Sequence, residues 1–265
     1  MPVFATPEPI TADITLVAGT LQITAGDSAE TTVEVHPRDA GKEGDVRAAE
    51  QVEVAYTGGR LEVREPQPSG LARMVGRKSV VDITVELPAG SRVHARSDYG
   101  NIRCTGTLGA SEIATSTGNI TVQRVAGNAE LTTSTGWIRA EEIAGSAAVK
   151  TTTGAITLGE VAGELRANSA HSEISADRAL SSVTARTSHG GIRLGQVVGG
   201  SVDVESSYGE LEIGVREGTA AWLDAVSKKG AVRSSLEAAD GPGPAEQTVE
   251  VRARSVWGDV LVHRS

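Results

Sequence analysis

The sequence predicts an all-β chain, a single-stranded β-solenoid of 18-residue rungs behind an N-terminal β capping region. Three observations carry that prediction. Gly100, Gly118, Gly136 and Gly154 stand 18 residues apart, with Ser172 in the next place and Gly190 after it. Aliphatic residues alternate at period two on both sides of these positions, as in strands with one buried face. Aromatic residues are only 3% of the chain against 31 glycines, so the core is built from Ala, Val, Ile, Leu and Thr in thin layers.

Residues 1–90 follow a looser version of the pattern. Ile14, Leu16, Leu21 and Ile23 flank Gly19, and Val52, Val54, Leu61 and Val63 flank Gly59. The wider spacing leaves room for longer strands or extra hairpins, including TTVEVHP and SVVDITVELPAG, while EPQPSGLARMVGRK reads as a loop. A solenoid exposes unpaired strand edges at its ends, and an atypical terminal segment blunts them, so this region is expected to cap the coil.

Residues 91–265 read as about nine regular rungs, because Gly209, Gly230 and Gly258 continue the series. The segment LEAADGPGPAEQ reads as a loop inserted near 237–248, before the final copy. Copies are expected to stack in chain order, with VWGDVLVHRS at the far end. Two places after the glycine come Ile102, Ile120, Ile138, Ile156, Ile174, Ile192, Leu211, Val232 and Val260, a continuous line of core. A second turn sits half a repeat later, at Gly109, Gly127, Gly145, Gly163 and Gly199.

Three places before the glycine only hydroxyl residues occur: Ser97, Thr115, Thr133, Thr151, Ser169, Thr187, Ser206, Ser227 and Ser255. They share the inward phase of their strands and read as a structural ladder at the solenoid corner. Each hydroxyl needs an acceptor nearby, since an unpaired buried polar group costs about 1–3 kcal/mol. The glycine follows because a tight turn there needs positive φ or close backbone approach.

Charge and composition exclude several classes. The net charge of −9 has both signs interspersed, against the basic face that nucleic acid requires. No apolar stretch approaches the ~18 residues of a membrane span. The opening MPVFATPEPITADITL lacks the basic-then-apolar order of a signal peptide. The single Cys104 has no disulfide partner within the chain, and a cytoplasmic location is expected.

The S/T-x-x-G-x-I repeats, preceded by VEVAYTGGRLEV and the VELPAG lead-in, resemble a bacterial family of β-strand-repeat proteins of unknown function described as putative adhesins. The resemblance implies a β-solenoid and, in membrane-linked relatives, envelope-stress or surface roles. It implies no reaction.

The outward columns supply no catalytic set. His94, Glu112, Glu130, Ala148, Arg166 and Thr184 run down one column as a solvated face of mixed charge, with Arg96 placed to offset Glu112. His171 and His189 align one rung apart but lack a carboxylate or Cys to complete a zinc site. Cys104 shares the column of Val122 and Leu158 and reads as a small core residue.

The most suggestive surface is the turn tip. Tyr99, His171, His189, Tyr208 and Trp257, with Trp137 beside its own tip, form a candidate binding ridge, because aromatic groups anchor interfaces and sugar faces. The expected role is a non-enzymatic scaffold without cofactor or metal, binding a protein or envelope partner through a long face. A glycan is the other ligand such a ridge fits. Two further readings stand beside it: a self-associating filament former resembling bactofilins, and a carbohydrate-active solenoid.

Overall fold

The computed structural model describes residues 2–66, 79–236 and 247–265. The loop expected within 65–78 and the insertion expected near 237–248 fall mostly outside these residues. The chain forms two compact units, Met1–Gly127 and Asn128–Ser265.

The first unit runs β1 (Val3–Ala5), β2 (Thr11–Ala18), β3 (Leu21–Gly26), β4 (Glu30–Pro37), α1 (Glu43–Gln51), β5 (Glu53–Thr57) and β6 (Arg60–Arg64). It continues through β7 (Val81–Pro88), β8 (Arg92–Tyr99), β9 (Ile102–Leu108), β10 (Ser111–Thr117) and β11 (Ile120–Val125). Within the unit one layer has the order β1-β4-β7-β3-β9-β11 and the other β10-β8-β2-β6-β5. Pairing is parallel except where β1 meets β4, β4 meets β7 and β5 meets β6. In β2, Ala12, Ile14, Leu16 and Ala18 are buried while the residues between them are half-exposed.

Helix α1 is the one α-helix among the described residues and was not legible from period-two patterning. Its sequence EGDVRAAEQ is rich in good helix formers, and Glu43 and Asp45 in the first turn suit the positive end of the helix dipole. Asp45 is buried and accepts a hydrogen bond from the Val80 N–H at 2.9 Å, tying the helix to the approach to β7.

Two ionic devices hold this end of the unit. Arg38 donates to both Asp82 oxygens, at 2.7 and 2.6 Å, and to the Thr20 hydroxyl at 2.7 Å. The Glu65 carboxylate continues the layer past the end of β6, accepting from the Val17 N–H at 2.6 Å.

The second unit comprises β12 (Ala129–Thr135), β13 (Ile138–Ile143), β14 (Ala147–Thr153), β15 (Ile156–Val161), β16 (Leu165–Ser169), β17 (Ile174–Ala179), β18 (Val183–His189) and β19 (Ile192–Val197). It ends with β20 (Gly200–Tyr208), β21 (Leu211–Val215), β22 (Thr219–Ser227), β23 (Val232–Ser234), β24 (Gln247–Trp257) and β25 (Val260–Arg264). Successive strands alternate between two parallel layers. The register sets Ile138 beside Ile156, Ile156 beside Ile174 and Ile174 beside Ile192, which is the aliphatic column read from the sequence.

Stacking in chain order fails at the last two copies. The layers run β12-β14-β16-β18-β20-β24-β22 and β13-β15-β17-β19-β21-β25-β23, so the final copy is threaded between its two predecessors. Leu211 pairs with Val260, and Val260 with Val232. The physical reason lies in the inward residues. β24 and β25 bring Val251, Ala253, Val260 and Val262, all buried, whereas β23 brings Ser234, exposed at the edge. Buried, the Ser234 hydroxyl would need a partner.

Candidate functional site

The tip of the second unit is built by the turn between each strand and its successor in the other layer. At Gly154 φ is +134°, and a Cβ would lie 2.1 Å from the Gly136 carbonyl oxygen. At Gly190 φ is +144°, and a Cβ would lie 2.4 Å from the Ser172 oxygen. Each turn is thus pressed against the one before it, leaving no room for a side chain. The Gly190 N–H donates to the Tyr208 carbonyl at 2.7 Å and the Gly209 N–H to the Trp257 carbonyl at 2.8 Å, which locks successive tips in line.

Ser172, where the series lacks glycine, uses a different bond. Its hydroxyl accepts from the Gly154 N–H at 2.8 Å and donates to the His171 carbonyl.

The hydroxyl ladder donates to the turn carbonyls. Thr151 bonds Gly136 O at 3.3 Å, Thr187 bonds Ser172 O at 3.1 Å and Ser206 bonds Gly190 O at 2.9 Å. Ser255 and Ser227 repeat the contact at 3.1 and 2.8 Å, and in the first unit Thr115 bonds Gly100 O at 3.2 Å. Thr133 is buried at its ladder position. The Ser97 and Ser169 hydroxyls are buried without a hydrogen-bond partner among the described residues.

Locked tips align their side chains. The His171 and His189 rings stack at 5.3 Å and 12°, His189 and Tyr208 at 4.9 Å and 6°, and Tyr208 and Trp257 at 6.3 Å and 4°. Lys229 closes the row with its ammonium 5.9 Å from the Trp257 ring. Tyr208 and Trp257 are 51% and 49% exposed, large values for rings of that size. Ring faces are turned to one another, so the row presents its edges outward.

Of the six ridge residues, the structure therefore brings four into one stack. Trp137 is exposed one residue past Gly136, two copies before the stack begins. Tyr99 lies in the first unit, beside Ala18 and Thr117 in register.

Lys229 belongs to the site and was missed as its terminus. In chain order it falls between Tyr208 and Trp257; threading moves Trp257 next to Tyr208 and Lys229 outside. A charge-matching test on the sequence would have found this. Arg252 fits between Asp203 and Asp224, and Arg254 beside Glu205, only if β24 lies between β20 and β22.

The other candidates have plain geometry. His171 and His189 stack without a third ligand: among the described residues no group of three or more His, Cys, Asp or Glu side chains is placed to hold a metal ion. Cys104 is buried, and burial pushes its thiol up to about 12, far from a reactive thiolate. Glu112 pairs with Arg96 at 2.6 Å, and that hydrogen bond holds its carboxyl below the usual range. A charged hollow of about 260 Å³ on the outer face of the first unit is lined by Asp13, Arg60, His94, Arg96 and Glu112 among others, with Asp13 bridging Arg60 at 2.7 Å and His94 at 3.2 Å. No helix among the described residues is long and apolar enough to cross a membrane.

Comparison with known proteins follows the fold. The chain is similar to a "putative adhesin" from Bacteroides fragilis NCTC 9343, at 13% identity over 98% of this chain and 95% of that one, with a TM-score of 0.46. It is similar to a "putative lipid binding protein" from Parabacteroides distasonis ATCC 8503, at 14% identity over 100% and 95% of the two chains, with a TM-score of 0.44. A "putative cell adhesion protein" from Clostridium sporogenes ATCC 15579 matches at 12% identity over 100% and 98%, with a TM-score of 0.25. No curated protein matches closely enough to count. The family model that fits this repeat grammar spans residues 12–262, nearly the whole sequence, and the chain belongs to the Toastrack DUF4097 family.

Proposed function

We propose that the chain is a non-enzymatic β-solenoid scaffold that engages a protein partner through the tip of its second unit, at the row His171, His189, Tyr208, Trp257 and Lys229. The observation that carries this reading is the continuous ring stack on an exposed turn edge. Rings already held by their neighbours lose little freedom on binding, so contact area is gained at low entropic cost. Aromatic side chains also lead the residues that anchor interfaces.

Ring orientation favours a protein over a glycan. Sugars stack on ring faces, and in this row the faces are taken up by neighbouring rings. What the edges offer is ring N–H and O–H groups, which match peptide carbonyls and side-chain acceptors. A row closed by an ammonium at one end also gives the surface a direction.

Affinity capture with the wild-type chain and with a variant carrying His171→Ala, His189→Ala, Tyr208→Ala and Trp257→Ala tests the reading. The variant is expected to lose the partner while its melting temperature stays within a few degrees of wild type, since all four side chains sit outside the core. Capture that survives the substitutions removes the ridge from the function.

A further inference from the structure

The last strand pair of the second unit leaves core positions open. Val232 shares a column with Leu211 and Val260, both fully buried, yet is 45% exposed. Beside it in the other layer, Val226 is 48% and Trp222 57% exposed. β22 and β23 each end their layer, so one side of each backbone has no strand partner among the described residues. The Lys228 N–H points to Ser255 O, and by strand alternation the N–H and C=O groups of Leu223, Ala225 and Ser227 face the open side. Exposed apolar edges of this kind template pairing with another strand.

We propose that this edge is a two-fold interface with a second copy of the chain, made by antiparallel pairing of β22 with its counterpart and centred on Val226. Register is decided by charge. A pairing centred on Asp224 opposes two carboxylates, and one centred on Leu223 or Ala225 sets Asp224 against Trp222 or Val226. Centring on Val226 places Asp224 opposite the second copy's Lys228 on both sides of the axis, and Val226 against its own counterpart. In the same register Ala225 and the second copy's Ser227 form a hydrogen-bonded pair, with the open backbone groups of both facing each other. Asp224, which also pairs with Arg254 at 3.1 Å, would then sit between two cations. Inward-facing Leu223, Ala225 and Val232 gain the cover that every earlier copy already has. Because a two-fold contact is self-complementary it closes, and the product is a dimer, not a filament.

Sedimentation velocity of the full chain over a broad concentration range is the test. Wild type is expected to approach twice the monomer mass. Val226→Lys sets like charges face to face on the axis and is expected to give a monomer that keeps the wild-type circular dichroism spectrum, since Val226 points outward, with a melting temperature lowered only by the stabilisation that the lost contact supplied. Lys228→Glu turns both charge pairs repulsive and should weaken association about tenfold or more, whereas Val226→Ile should preserve it. A wild-type chain that stays monomeric at every concentration overturns the proposal and leaves the edge to a strand of a different protein. Association that survives Val226→Lys overturns it equally. Neither result bears on the four stacked rings, which stand on the copies inside this edge; Lys229 alone, in the turn after β22, borders both surfaces.

Discussion

A methyl group on residue 154 would stand only 2.1 Å from the Gly136 carbonyl oxygen, and three residues earlier the Thr151 hydroxyl donates to that same oxygen. The turn is specified by the absence of one side chain and the presence of another. Gly154→Ala is therefore expected to cost about 3 kcal/mol or more, from positive φ and the clash together. Thr151→Val keeps the shape and removes the donor, for about 1 kcal/mol. Denaturant titration of the two variants checks the order; equal losses would mean that the turn tolerates a Cβ.

Glu65 is the residue whose stability term runs against the usual carboxylate sign. Burial pushes its carboxyl up from the ordinary 4.5, while hydrogen bonds from Val17 and Ala18 pull the other way. A raised folded-state pKa means that the native chain holds this proton more tightly than the unfolded chain. The stabilising term is complete below about pH 4.5 and fades as pH rises through the folded value. Glu65→Gln keeps an acceptor without the buried charge, so the fading disappears and neutral-pH stability holds or rises. Glu65→Ala leaves strand N–H groups without an acceptor and costs about 1–3 kcal/mol. Denaturation on either side of that pH window separates the two.

Elements in the second unit are interchangeable by pattern but not by burial. β22–β23 and β24–β25 share the same strand, turn and strand grammar, and the chain puts the later pair inside. Val262→Ser places a hydroxyl in the buried column and is expected to cost about 2–3 kcal/mol, from lost apolar burial and an unpaired donor. Ser234→Ala at the edge should change stability by less than about 0.5 kcal/mol. A reversed ranking in thermal melts would mean that the two pairs exchange places. The ring stack depends on this threading, because only the inner position of β24 sets Trp257 against Tyr208.

For the whole chain, acid sensitivity follows from carboxylates held by arginine. Burial pushes Asp82 up, but the hydrogen bonds from Arg38 and the Thr20 N–H outweigh it and leave the carboxyl below its ordinary 3.8. The Arg96 hydrogen bond likewise lowers Glu112 from 4.5. Depressed folded values contribute stability above the unfolded pKa and lose it as pH falls through the folded one. The chain is thus expected to lose stability progressively below about pH 4. Arg38→Gln should lower neutral-pH stability and make the acid limb shallower, as read by circular dichroism across a pH series.

Legibility in the sequence follows the range of the interactions. The aliphatic columns, the hydroxyl ladder and the turn glycines are set by neighbours two to four residues away and by a repeating register, so each can be read off the chain. Helix α1 was not, because its nine residues carry no apolar stripe, and its one buried side chain, Asp45, is satisfied by a distant N–H. The tip residues were legible as candidates, but their contact was not. Sequence by itself determined the rung grammar and which side chains stand at the tips, since alternation and tight turns are local. Only the tertiary structure decided the order of the rungs, and with it the unbroken stack ended by Lys229, because which rung is left uncovered depends on the polarity of every rung competing for the interior.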